Sequence, residues 1–101
     1  MELFRGDSFI KTITSSYQFG IGDKLIIAVM RNAYSREYLH QQTIEVKSGT
    51  NEINFEILPC ETDKFPIGEL LLEIELTTAS GIVQTNQYKL NVKADGIYEQ
   101  N

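Results

Sequence analysis

The sequence predicts an all-β fold, an antiparallel sandwich of about seven strands. Apolar and polar residues alternate in nearly every segment, and no window of useful length carries the i, i+3, i+4, i+7 stripe of a surface helix. Turn residues punctuate the alternation at Gly6-Asp7, Gly20 to Asp23, Ser48-Gly49, Pro66 to Gly68 and Ser80-Gly81.

Between those turns the strands are expected near Glu2–Arg5, Ser8–Thr14, Lys24–Met30, Tyr38–Val46, Asn51–Ile57, Glu69–Thr78 and Ile82–Lys93. The third is nearly continuous in apolar character. That marks a central strand covered on both faces, with Leu25, Ile27 and Val29 on the inner one. Arg31 to Tyr38 has neither a clean alternation nor a helical period and reads as a connection. Between Pro59 and Pro66, Cys60 to Phe65 has room for one helical turn at most, because the residue before a proline is pushed out of helical conformation. That turn is expected to carry the chain from one sheet to the other.

In the sixth strand Leu70, Leu72, Ile74 and Leu76 share a face, with Glu69, Leu71, Glu73 and Glu75 opposite. In the seventh, Ile82, Tyr88, Leu90 and Val92 share the inward face. Both inward sets are even-numbered, so a hairpin between these strands needs an odd loop, and Ala79-Ser80-Gly81 supplies it with glycine at the left-handed position. For the preceding pair, Ile44 and Val46 are even while Ile53, Phe55 and Ile57 are odd. An even loop follows: a type II′ turn at Gly49-Thr50 that sets Val46 against Ile53 and Lys47 against Glu52.

At 101 residues, the chain is too short for two independent cores, and residues 1–94 are expected to form one domain, with 95–101 a C-terminal tail. About seven strands in this length match an immunoglobulin-like sandwich. The composition, 42% hydrophobic and 23% charged, is globular rather than disordered. Fourteen acidic residues against nine basic give a net charge of −5, and the cations at Lys11, Lys24, Arg31, Lys47 and Lys89 are scattered singly. Neither nucleic acid nor an acidic membrane surface is expected as a partner. Cys60 is the only cysteine, so no intrachain disulfide can form, which fits synthesis in the cytosol. No segment approaches the roughly 18 apolar residues of a membrane span.

The residue inventory argues against catalysis. His40 is the only histidine, and a Cys60–His40 nucleophile pair is a weaker reading than a buried cysteine and a strand histidine. The same scarcity leaves no metal site, and Cys60 to Asp63 lacks the spacing of a calcium loop. Glu73 with Glu75, and Glu52 with Glu56, read as solvated outer faces rather than a hydrolytic pair. No enzyme activity and no cofactor are expected. Arg5-Gly6-Asp7 spells an integrin-read tripeptide, but Gly-Asp between strands is an ordinary turn, and adhesion needs an exposed loop tip. Arg31, Tyr34, Arg36 and Tyr38 fall within one short stretch, and tyrosine and arginine are enriched at protein interfaces. These four are the candidate partner-binding residues. The alternative packs the rings of Tyr34 and Tyr38 on the sandwich edge and leaves the arginines to water.

Phe4-Arg5-Gly6-Asp7-Ser8-Phe9, Gly22-Asp23, Phe65-Pro66-Ile67-Gly68-Glu69-Leu70 and Ser80-Gly81 together resemble the small immunoglobulin-like modules of bacteriophage virions. The closest resemblance is to the N-terminal domains of upper baseplate and tail-fibre proteins in phages and prophages of Gram-positive bacteria. Leu70 stands where an aromatic residue is common. The resemblance implies a structural role in tail, baseplate, fibre or capsid decoration. It implies contacts with other virion proteins or copies of itself, homo-oligomers included, in a virion assembled after synthesis in the bacterial cytoplasm. A second class is an adhesion or carbohydrate-binding module, for which Tyr17, Phe19, Tyr34 and Tyr38 are the aromatic candidates.

Overall fold

Alternation becomes strands wherever one face can be kept dry, and seven segments among the described residues do so. A computed structural model describes residues 1–34 and 37–94. In order they form β1 (Glu2–Phe4), β2 (Phe9–Phe19), β3 (Lys24–Met30), β4 (Tyr38–Glu45), β5 (Thr50–Ile57), the single helical turn α1 (Pro59–Thr62), β6 (Gly68–Thr77) and β7 (Val83–Lys93). The fold is all-β. The expected tail, 95–101, lies outside the described residues.

The strands divide into a five-stranded sheet in the order β1-β7-β6-β3-β4 and a two-stranded sheet, β2-β5. One buried cluster joins them: Leu25, Ile27, Val29, Leu70, Leu72 and Leu90 from the large sheet meet Phe9, Ile53, Phe55 and Ile57 from the small one. Full burial of such a side chain contributes about 1.5–3 kcal/mol, so this shared interior holds the two sheets together. Leu25, Ile27 and Val29 occupy the inner face of β3 as expected. Ala28 and Met30 are buried on the other face, because β3 lies between β4 and β6.

The β6–β7 hairpin follows the parity argument. Thr77 faces Val83 and Gly68 faces Val92, Ala79-Ser80-Gly81 forms the loop, and Gly81 takes φ 94°. The amide of Thr78 bonds the carbonyl of Ile82 at 2.9 Å and closes the loop.

The reading of β4 and β5 is corrected. β4 pairs with β3, setting Ile44 against Leu25, and β5 pairs with β2, setting Ile53 against Ile13 and Glu52 against Thr14. Residues 46–49 therefore cross from one sheet to the other, and Gly49 does not adopt the positive φ that a II′ turn requires. Parity constrains which residues face inward. It does not distinguish a strand beside its neighbour from one facing it across the core.

A uniformly antiparallel arrangement is corrected too. β1 runs parallel to β7, with Leu3 beside Val92. The turn after β1 carries the chain over to the small sheet instead of folding it back as a hairpin. β2 is longer than expected, and its pairing with β5 is interrupted between Thr14 and Phe19, a large bulge that still returns Phe19 to the core.

Leu90 and Val92 lie in the core, but Tyr88 and Ile82, expected beside them, are 39% and 57% exposed. A two-stranded sheet cannot cover five strands, so the early part of β7 lacks a facing strand. Cys60, expected buried, is exposed. In a helix of one turn only one side chain points inward, and here it is Thr62.

Candidate interaction surfaces

Strand register sorts the connections to two ends. Lys24 pairs with both Glu45 and Thr77, so residues 20–23, 46–49 and 79–81 gather at one end. Met30 pairs with both Tyr38 and Leu71, so the β3–β4 connection lies at the other.

Arg31 is exposed in that connection, and Tyr34 is 95% exposed. The Tyr34 amide donates to Asn32 Oδ1 at 2.9 Å, a local turn that fixes the backbone beneath the ring. Tyr38 begins β4, the free edge of the large sheet, and is 44% exposed. Arg36 lies outside the described residues. The structure thus places Arg31 and Tyr34 in one loop and Tyr38 at the strand that leaves it. Packing of the Tyr34 ring on the sandwich edge is ruled out by its exposure.

The other candidates have structural employment. His40 Nε2 lies 2.7 Å from Gln42 Oε1, and Nδ1 lies 3.7 Å from Glu61 Oε2. Both ring nitrogens thus face partners other than Cys60. Arg5-Gly6-Asp7 forms a turn in which Arg5 and Gly6 are half-buried and Asp7 is exposed; the Arg5 amide bonds Lys93 O at 2.9 Å, and the Gly6 amide bonds Thr62 Oγ1 at 3.1 Å. The Thr62 hydroxyl then donates to Asp7 O at 2.8 Å. Glu73, on the outer face of β6, accepts from Gln87 Nε2 at 3.0 Å. Among the described residues no cluster of three or more His, Cys, Asp or Glu could hold a metal ion. No described helix is long and apolar enough to cross a membrane.

Asp23 is the residue whose role the sequence reading missed. It is buried, and its carboxylate accepts from the Gly20 amide, the Tyr17 hydroxyl and the Ala79 amide, each at 2.9 Å. Its carbonyl accepts the Val46 amide at 3.0 Å. The backbone donors Gly20 and Ala79 hold the carboxyl below its ordinary value, since they favour the charged form. The hydrogen bond to Asp23 raises the Tyr17 hydroxyl, with desolvation adding to it. One residue therefore joins all three connections at this end, two through its carboxylate and the third through its carbonyl. The available signal was an aspartate closing a glycine-rich turn just before an apolar strand.

A third surface runs along the side. Two adjoining cavities of about 220 and 130 Å³ lie between β2 and the core-facing side of β7, sharing Ile13, Thr14, Ile74, Asn86 and Tyr88 in their walls.

Comparison of the chain with models of protein families, with curated proteins and with solved structures finds no match.

Proposed function

We propose that the chain is a non-enzymatic, immunoglobulin-like assembly module of a phage or prophage particle, part of a tail, baseplate, fibre or capsid decoration, acting through protein–protein contacts. The observation that carries the contact role is Tyr34. A large aromatic ring 95% exposed on a turned, hydrogen-bonded loop costs apolar hydration in the free protein, and covering it by a partner recovers that free energy. Arg31, exposed in the same connection, supplies a planar group suited to a carboxylate or an aromatic face. Other virion proteins or further copies of this chain are the proposed partners.

The strand order supports the immunoglobulin-like reading. A central sheet β1-β7-β6-β3-β4, with its first strand parallel to the last, corresponds to the larger sheet of a variable-type domain, and β2-β5 corresponds to the middle of the other. The particle assignment rests on the turn motifs quoted above. A glycan-binding role is less well served: Phe19 is buried, and Tyr17, though 40% exposed, packs its ring against Phe19 and donates its hydroxyl to Asp23, which leaves Tyr34 and Tyr38 as the aromatic candidates outside the Asp23 cluster.

The test is the protein content of particles purified from the lysogen that encodes the chain. The proposal expects the chain there at a fixed ratio to the tail or capsid proteins. Its confinement to the host's soluble fraction would overturn the particle assignment.

A further inference from the structure

The side groove is an unfinished piece of sheet. Among the described residues β2 pairs with β5 alone, so its other edge presents backbone donors and acceptors to the groove. β1 pairs β7 only from Asn91 to Lys93, and among the described residues no strand flanks the preceding part of β7. Across the groove stand Gln84, Asn86 and Tyr88, which are exposed on the face that elsewhere in β7 is buried.

The lining is also unusual in charge. In a chain of net charge −5, neither cavity is lined by an acidic side chain, while Lys11 lines the larger one. Lys11 occupies an inward position of β2, between Phe9 and Ile13, with Nζ 5.5 Å from the centre of the Phe9 ring. Toward the β1–β2 turn a further cavity that Lys11 also lines carries two acids, Glu2, which Lys93 holds at 2.9 Å, and the exposed Asp7.

From this juxtaposition we infer that the groove is a docking site for an extended, acidic segment of a partner protein. The segment adds as a third strand to the free edge of β2 and covers Gln84, Asn86 and Tyr88. Main-chain bonds to the edge supply affinity, and alternate side chains facing inward supply specificity. An inward lysine on an open edge repels a cationic strand and favours one whose facing residue is a carboxylate. It equally disfavours a second copy, which would bring its own Lys11 to the same strip.

The test uses the full chain and a synthetic extended peptide alternating valine and glutamate, with the valine–lysine counterpart as comparison, read by amide NMR shifts. The acidic peptide should move the resonances of residues 11–15 and 84–88, and the lysine peptide should not bind. Lys11→Glu should weaken binding about tenfold. Asn86→Asp, which places a carboxylate on the opposite wall, should weaken it as well and serves if the first variant fails to fold. Absence of binding, equal binding of both peptides, or shifts confined to the β4 edge would overturn the inference. Self-association abolished by Lys11→Glu would replace the partner segment with a copy of this chain, and would overturn it too. The β3–β4 loop takes no part, so failure here is distinguishable from failure of the particle assignment.

Discussion

The carboxylate of Asp23 accepts the amide proton of Ala79 at 2.9 Å, tying the turn before β3 to the hairpin loop between β6 and β7. The same carboxylate holds Gly20 and Tyr17, so one buried charge organises the turns at this end of the molecule, beside the buried Phe19, Leu25 and Val46. Asp23→Asn turns one acceptor into a donor facing a donor. Its melting temperature at neutral pH should fall below that of the parent.

The pH dependence follows from the lowered carboxyl. Asp23 stabilises the fold wherever the unfolded chain's carboxyl, near its ordinary 3.8, is ionised. That contribution is lost as pH falls through the lower native value. Melting curves taken from neutral pH down through the carboxylate range should show a steeper acid decline for the parent than for Asp23→Asn. Equal slopes would mean that Asp23 is not held in its charged form by these donors.

Tyr17 bears on the opposite limb. Its bond to Asp23 raises the hydroxyl above the ordinary 10.0, so its contribution is intact below that value and is lost as pH rises through the raised one. Tyr17→Phe should remove this alkaline loss. It should also make the acid decline shallower than the parent's, because Asp23 then keeps only its backbone donors and its native carboxyl lies closer to the unfolded value. Paired acid and alkaline melts read both effects.

Leu72 is fully buried on β6, opposite Val29 of β3. Leu72→Ala should cost about 2–5 kcal/mol through lost burial and a residual cavity. In urea the midpoint should fall with an unchanged slope. A cost below about 1 kcal/mol would contradict this placement of the core.

Gly22 and Gly81 both sit at φ 94°, but a Cβ on Gly22 would lie 3.1 Å from the Cβ of Ala79, whereas one on Gly81 meets nothing within 4 Å. Gly81→Ala should therefore cost only the left-handed backbone, about 1–2 kcal/mol. Gly22→Ala should cost more, since it also pushes the Asp23 turn away from the hairpin loop. Denaturation of the two variants side by side checks the ranking.

Much of the sheet layout was legible because period-two burial writes itself into the chain. Leu70, Leu72 and Ile74 declared their face, and the odd loop at Ala79-Ser80-Gly81 followed from them. The partner of each strand was less legible. Val46 and Ile53 both face inward, but residues facing each other across a core carry the same signature as residues paired in one sheet. The exposure of Tyr88 was hidden for a related reason: local alternation cannot reveal that the opposing sheet has only two strands. Of the candidate surface, Tyr34 could be singled out from composition, but its exposure could not, because a tyrosine packed on the sandwich edge reads the same in the sequence. Asp23 was not legible, because its donors come from positions as distant in sequence as Tyr17 and Ala79.

The assembly reading is tested most directly by particle incorporation of a Tyr34→Ala variant. Tyr34 is almost wholly exposed, so the substitution should change folding stability by no more than about 0.5 kcal/mol. Particles assembled with the parent chain should carry it at a fixed ratio to the other structural proteins, and particles assembled with the equally stable variant should carry markedly less. Full incorporation of Tyr34→Ala, or absence of the parent chain from particles, would contradict the account.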